Sequence, residues 1–336
     1  ASASFIEGCL PGIGGSGGLR CETAPVRPLP STITVRDVTL RDGLQDERPI
    51  DLAAKLAVFE ALIDAGVRDL ELTSFVRPDR VPAMADAAQL AAATHDGADD
   101  RGVVRWGLVL NRRGAQRALD ASIDHLQFVV SVSDEHSRRN AGAGVAERLD
   151  DLATVVADAE RSHAIVEVTL ATAFGCPYQG PVAPSDVVAA ARMAIDHGVR
   201  GIGLADTIGT GVPTEVAELV GEVTDIGAPA GVPVGVHLHD TRGLGVANAL
   251  AAVDAGATRV DASLGGLGGC PFAPGASGNV SVEDVVHAFE EMGCRTGIDV
   301  ARLIDAATIA TGAVGRALDG HVALAGPRFA TSRVPT

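Results

Sequence analysis

From residue 31 onward, short runs of β-branched and aliphatic residues alternate with longer Ala- and Leu-rich stretches whose apolar positions recur every three to four residues. The short runs read as buried strands and the longer stretches as amphipathic helices. Strands are predicted over 33–38, 67–72, 103–109, 123–132, 164–170, 198–204, 232–238 and 258–262, each followed by a helical stretch. In the helix expected over 51–65, Leu52, Leu56, Phe59 and Ile63 share a face and Asp51 stands at the N-cap. One joint recurs: Asp64-Ala-Gly66-Val-Arg68, Asp196-His-Gly198-Val-Arg200 and Asp254-Ala-Gly256-Ala-Thr258 each end a helix and open a strand. Glycine takes the left-handed position there, and strand formers follow. Eight such units predict an α/β fold, a (β/α)8 TIM barrel. Additional C-terminal helices are expected over 282–292 and 299–313, the second packing outside the barrel or extending into a partner.

Residues 1–30 are rich in Gly and Pro, lack a sustained period and read as a tail, whereas 31–336 reads as a single catalytic domain without an internal linker. Gly12-Ile-Gly14-Gly-Ser-Gly17 has dinucleotide-binding spacing, but it has neither the strand before nor the helix after that the fingerprint needs. The net charge of −16 argues against a non-specific nucleic-acid binder, and no run of apolar residues is long enough for a membrane span. Five cysteines at irregular spacing (Cys9, Cys21, Cys176, Cys270 and Cys294) read as reduced thiols. No signal-peptide pattern opens the chain, and a cytoplasmic location is expected.

A barrel of this type carries its site at the C-terminal strand ends. After the first strand, Arg41-Asp42 reads either as a surface ion pair or as a carboxylate ligand beside an oxyanion-stabilising cation. The seventh strand ends in His237-Leu238-His239-Asp240, which puts both imidazoles on one face, with Asp240 positioned to orient one of them. Glu71 and Asp206 end two other strands and read as acid, base or orienting groups, or as helix caps. The loop 265–279 is glycine-rich, carries Cys270 at its centre and reads as a lid. Asn279 reads as a helix N-cap or a hard oxygen ligand. Two imidazoles and two oxygens, without a thiolate, suit Mg²⁺ or Mn²⁺ better than structural Zn²⁺. That leaves Cys270 as a proton donor or nucleophile.

The segments 41–45 (Arg-Asp-Gly-Leu-Gln), 71–75 (Glu-Leu-Thr-Ser-Phe), 206–209 (Asp-Thr-Ile-Gly), 237–248 and 265–279 together resemble the 3-hydroxy-3-methylglutaryl-CoA lyase family, in order and over residues 31–315. The Gly-Leu-Gly-Gly-Cys-Pro-Phe run is the most specific of them. The resemblance implies metal-dependent cleavage of 3-hydroxy-3-methylglutaryl-CoA to acetyl-CoA and acetoacetate, with a place in leucine degradation and ketone-body formation. It implies that Asp42, His237, His239 and Asn279 hold the metal and that Arg41 stabilises the enolate. Cys270 would protonate the carbanion, Asp206 or His237 would take the hydroxyl proton, and Glu71 would support the site. Gln45, Ser74 and Asn248 would contact substrate, and a homodimer or larger homo-oligomer is expected.

Two departures bear on the acyl group: Asp37-Val-Thr-Leu40 stands where Glu-Val-Gly-Pro is expected, and Gly203-Leu-Ala205 where Ser-Leu-Gly is expected. They leave a related longer-branched glutaryl or citramalyl thioester open. An acyl-CoA/2-oxo-acid condensing enzyme of the same barrel type is the first rival, against which stands the Cys270 loop. A barrel that only binds is the second. Coenzyme A on so acidic a chain needs local positive charge, and Arg77, Arg80, Arg112, Arg113, Arg138 and Arg139 follow strand ends, where a solvated surface is their plainer role.

Overall fold

The computed structural model describes residues 29–269 and 278–329; Cys270 and most of the 1–30 tail lie outside them. The strands are β1 (Thr34–Asp37), β2 (Asp69–Ser74), β3 (Val104–Val109), β4 (His125–Ser131), β5 (Ile165–Ala171), β6 (Ile202–Asp206), β7 (Val234–Leu238) and β8 (Arg259–Ala262). Each pairs in parallel with the next, and β8 closes on β1 through Thr34↔Arg259 to Asp37↔Ala262. The expected TIM barrel is therefore borne out, with every predicted strand present. β6 starts later than predicted because Gly198, at φ +90°, belongs to the turn that ends the helix Pro184–Asp196.

Side chains alternate between two cores. Leu70, Leu72, Val168, Leu170, Ile202, Leu204, Val234 and Val236 are all buried under the helical ring or within the barrel. Charged residues also lie within the barrel. Arg36 of β1 reaches Glu167 of β5, on the far side of the closed sheet, at 3.0 Å. Arg259 of β8 meets the same carboxylate at 2.7 Å. Arg36 also pairs with Asp69 and lies 4.0 Å from the Trp106 ring centroid. Glycine makes room for this network: a Cβ on Gly235 would sit 2.7 Å from the Arg259 guanidinium carbon, and one on Gly201 2.7 Å from a Glu167 oxygen.

The helix Leu52–Asp64 is capped as expected, Asp51 accepting from the Ala54 amide. Its buried face differs from the prediction: Lys55, Val58, Phe59, Leu62 and Ile63 are buried, whereas Leu52 and Leu56 are half-buried. Lys55 is admitted because its ammonium donates to the Ala83 carbonyl at 2.6 Å and pairs with Asp86. The helix Val300–Val314 packs on this helix, with Leu303, Ala306, Ala307 and Ala310 buried, which decides for the outside of the barrel. A short helix His321–Ala325 follows that the pattern did not predict. Among the described residues, no helix is long and apolar enough to cross a membrane.

Candidate active site

β1 ends in a tight π-helical turn, Thr39–Gly43, whose five residues are all buried. Asp37 holds this turn by accepting from the Thr39 amide (2.9 Å) and hydroxyl (3.0 Å), and the Thr39 hydroxyl accepts in turn from the Leu264 amide beyond β8. Burial pushes the Asp37 carboxyl up to about 7. The folded protein therefore holds this proton where the unfolded chain, near its ordinary pKa of about 4, does not. The contribution of Asp37 to stability is full below about pH 4 and is lost as pH rises to 7. Denaturant titrations are expected to show the wild type losing more stability than Asp37→Asn over that interval, and equal slopes would refute the assignment.

The turn presents Arg41 and Asp42 at the rim. Arg41 Nε donates to Glu71 Oε2 at 2.7 Å, and Arg41 Nη1 donates to Asp42 Oδ1. His237 and His239, at the end of β7, aim Nε2 at Asp42 Oδ2 from 3.7 and 3.6 Å. One donor atom from each of these three residues lies within 4.8 Å of the others. Asn279 completes the group, its Nδ2 donating to Asp42 Oδ2 (2.8 Å) and to the Leu267 carbonyl (2.9 Å). It is not the helix cap: Ser281 caps Val282–Glu291. The Asn279 Oδ1 is buried without a hydrogen-bond partner among the described residues.

These residues fit a hard divalent cation. A carboxylate and two imidazole nitrogens converge, and an orphaned amide oxygen stands beside them. Burial by itself would raise the Asp42 carboxyl, but Arg41, His239 and His237 hold it well below the usual range, so it is an anion ready to ligate. Burial keeps the Glu71 carboxyl raised in spite of Arg41.

The remaining predicted residues stand at or after the C-terminal ends of strands. Asp206 is fully buried, and its oxygens accept from the amides of Thr210 (2.9 Å) and Gly211 (2.8 Å). Asn248 donates to the Gly211 carbonyl at 2.9 Å while its Oδ1 has no partner among the described residues. The Ser74 hydroxyl is buried and likewise without a partner among the described residues, and Gln45 is half-buried just after the turn. Among the described residues, buried polar atoms without hydrogen-bond partners thus occur at Glu71, Ser74, Asn248 and Asn279. Arg77, Arg112, Arg138 and Arg139 sit in exposed pairs with Asp79, Asp158, Asp134 and Glu135.

The family model described as HMGL-like matches residues 32–309. The chain belongs to the HMGL-like family. The (R)-citramalyl-CoA lyase of Chloroflexus aurantiacus is 40% identical over 305 residues, covering 88% of this chain and 96% of that one. A hydroxymethylglutaryl-CoA lyase of Bacillus subtilis is 38% identical over 283 residues, covering 83% and 92%. A solved HMG-CoA lyase from Acinetobacter baumannii, in complex with coenzyme A and 3-methylmalate, superposes with a TM-score of 0.84 at 34% identity, covering 91% and 98%.

In this HMGL-like chain one expected role is reassigned. Asp240 was expected to orient a ligand histidine, but its Oδ1 accepts from the Gly245 amide at the start of the helix Gly245–Asp254. The carboxylate facing His237 Nδ1, at 3.4 Å, belongs to Asp261 of β8. Motif reading missed Asp261 and its partner Arg259. The available signal was the alternation Arg259-Val-Asp261 inside a strand whose surroundings read as fully buried.

Proposed function

We propose that this chain, a carbon–carbon lyase of the HMGL-like family, cleaves 3-hydroxy-3-methylglutaryl-CoA to acetyl-CoA and acetoacetate with the help of Mg²⁺ or Mn²⁺. The observation that carries the proposal is the convergence of Asp42, His237 and His239 beside Arg41. Asp42, His237, His239 and, through Oδ1, Asn279 would hold the cation. When bound, it supplies a Lewis acid that lowers the pKa of the substrate's 3-hydroxyl.

The rest falls to side chains. With His237 engaged through Nε2 and facing Asp261 through Nδ1, the hydroxyl proton goes to a carboxylate. Glu71 is the better acceptor, because its Oε1 is buried and has no hydrogen-bond partner among the described residues, whereas Asp206 already accepts two amides. Loss of that proton lets the C2–C3 bond break, its electron pair leaving as the enolate of acetyl-CoA. The Arg41 guanidinium supplies positive charge for the enolate oxygen. Cys270, outside the described residues, returns a proton to the carbanion. Free, buried thiols at Cys176 and Cys294 support a reducing, cytoplasmic location.

A second reading has its own support in the 40% identity to a citramalyl-CoA lyase. Citramalyl-CoA lacks one methylene between C3 and the carboxylate, so the same bond breakage releases pyruvate instead of acetoacetate. Both thioesters are assayed with Mg²⁺ and with EDTA. Metal-dependent acetoacetate release is the expected result, and preferential pyruvate release selects the second reading. No cleavage of either thioester by folded, metal-loaded protein overturns both.

A further inference from the structure

His237 and Asp261 are directly paired in the register of β7 and β8. Residues so paired on neighbouring parallel strands point to the same face, so the imidazole and the carboxylate project together into the barrel. His237 Nδ1 and Asp261 Oδ2 lie 3.4 Å apart. Each is buried, and neither has a hydrogen-bond partner elsewhere among the described residues. The other Asp261 oxygen accepts from Arg259 Nε at 2.9 Å. Arg259 is held in turn, by Glu167 at 2.7 Å and by the space left over Gly235. Asp261 is thus pinned on one side, with its free oxygen aimed at the only side of His237 that does not face Asp42.

We propose that Asp261 is a positioning residue for His237: its carboxylate accepts a hydrogen bond from Nδ1–H, which keeps the proton on Nδ1 and leaves Nε2 unprotonated and aimed at the cation, and Arg259 keeps the carboxylate in place. This rests on the reading of His237 as a metal ligand. A neutral imidazole carries one proton on one of two nitrogens, and only the tautomer with Nδ1–H can ligate through Nε2. A carboxylate behind a ligating histidine selects that tautomer and fixes the ring plane. His239 lacks this support, since its Nδ1 is buried with no hydrogen-bond partner among the described residues.

The test measures Mn²⁺ affinity by electron paramagnetic resonance, with thermal melting alongside, for wild type, Asp261→Asn and Glu167→Gln. Asp261→Asn is expected to weaken Mn²⁺ binding by about 10- to 100-fold. Glu167→Gln, which cuts the same ionic network without touching His237, is expected to lower the melting temperature and to weaken Mn²⁺ binding much less than Asp261→Asn does. Wild-type affinity in Asp261→Asn overturns the proposal, as does equal weakening in both variants, because either result reduces Asp261 to a structural member of the network. If Asp261→Asn fails to fold, ¹⁵N NMR of the wild-type apoprotein at about pH 9 reads the tautomer directly. Protonated Nδ1 on His237 supports the proposal and protonated Nε2 overturns it. A wild type that binds no Mn²⁺ refutes the metal reading instead, and the tautomer still judges Asp261.

Discussion

Arg41→Met is expected to lower kcat by about 10²–10³-fold, the cost of removing one preorganised donor from a developing oxyanion. Arg41 is buried and spans two carboxylates, on Glu71 at 2.6–2.7 Å and on Asp42. In the proposed cleavage, a neutral side chain would leave the enolate oxygen without its cation at the moment when charge moves there. Ground-state binding of the thioester depends much less on that charge, so kcat should fall far more than KM rises. Arg41→Lys should recover only part of the loss, since a single ammonium cannot reproduce a fork that reaches both Glu71 and Asp42. Steady-state kinetics on metal-loaded protein, with melting curves to show that the variants fold, check this. An Arg41→Met enzyme that kept more than about a tenth of wild-type kcat would exclude Arg41 from enolate stabilisation.

The largest effect on stability is expected away from the rim. Arg36→Met should cost about 3–5 kcal/mol, because it strands carboxylates whose counter-charge is gone. Arg36 is 1% exposed and neutralises Glu167 and Asp69 while covering Trp106. Glu167 keeps Arg259, so the pair is not dismantled completely. A double replacement of Arg36 and Glu167 by apolar or amide side chains should cost less than the sum of the single changes, because the second no longer strands a charge. Urea unfolding of the three variants measures this, and strict additivity would show that the network carries no coupling.

Much of the fold was legible along the chain. Alternation of apolar strands with amphipathic helices, and the repeated helix–Gly–strand joint, follow from local backbone geometry and from the period of each element. Those rules act over a few residues and need no knowledge of what lies across the molecule. The same locality made the paired orientation of His237 and His239 readable, since strand residues two apart share a face. It also made Arg41-Asp42 readable as a strand-end pair.

Other features depended on what the chain folds against. Leu52 and Leu56 satisfy the helical period, yet the buried stripe is turned from them towards Lys55 and Leu62, since the helix Val300–Val314 and Asp86 decide which face is covered. Asp240 is adjacent to His239 in sequence but serves a helix start, whereas Asp261 faces His237. A hydrogen bond follows distance and direction in space, and these are set by the register of β7 against β8.

Sequence alone therefore determined the eight-unit barrel, its rim and the residue types gathered there, because periodicity and capping are local. Tertiary structure decided which of those residues meet. Closure of β8 on β1 brings the Thr39–Gly43 turn against Leu264 and sets Asp42 beside Asn279, residues more than two hundred positions apart. Closure also sends Arg36 across the barrel to Glu167. Contacts of that separation arise when a sheet closes on itself, and no short-range pattern in the chain encodes which partners will then be opposite.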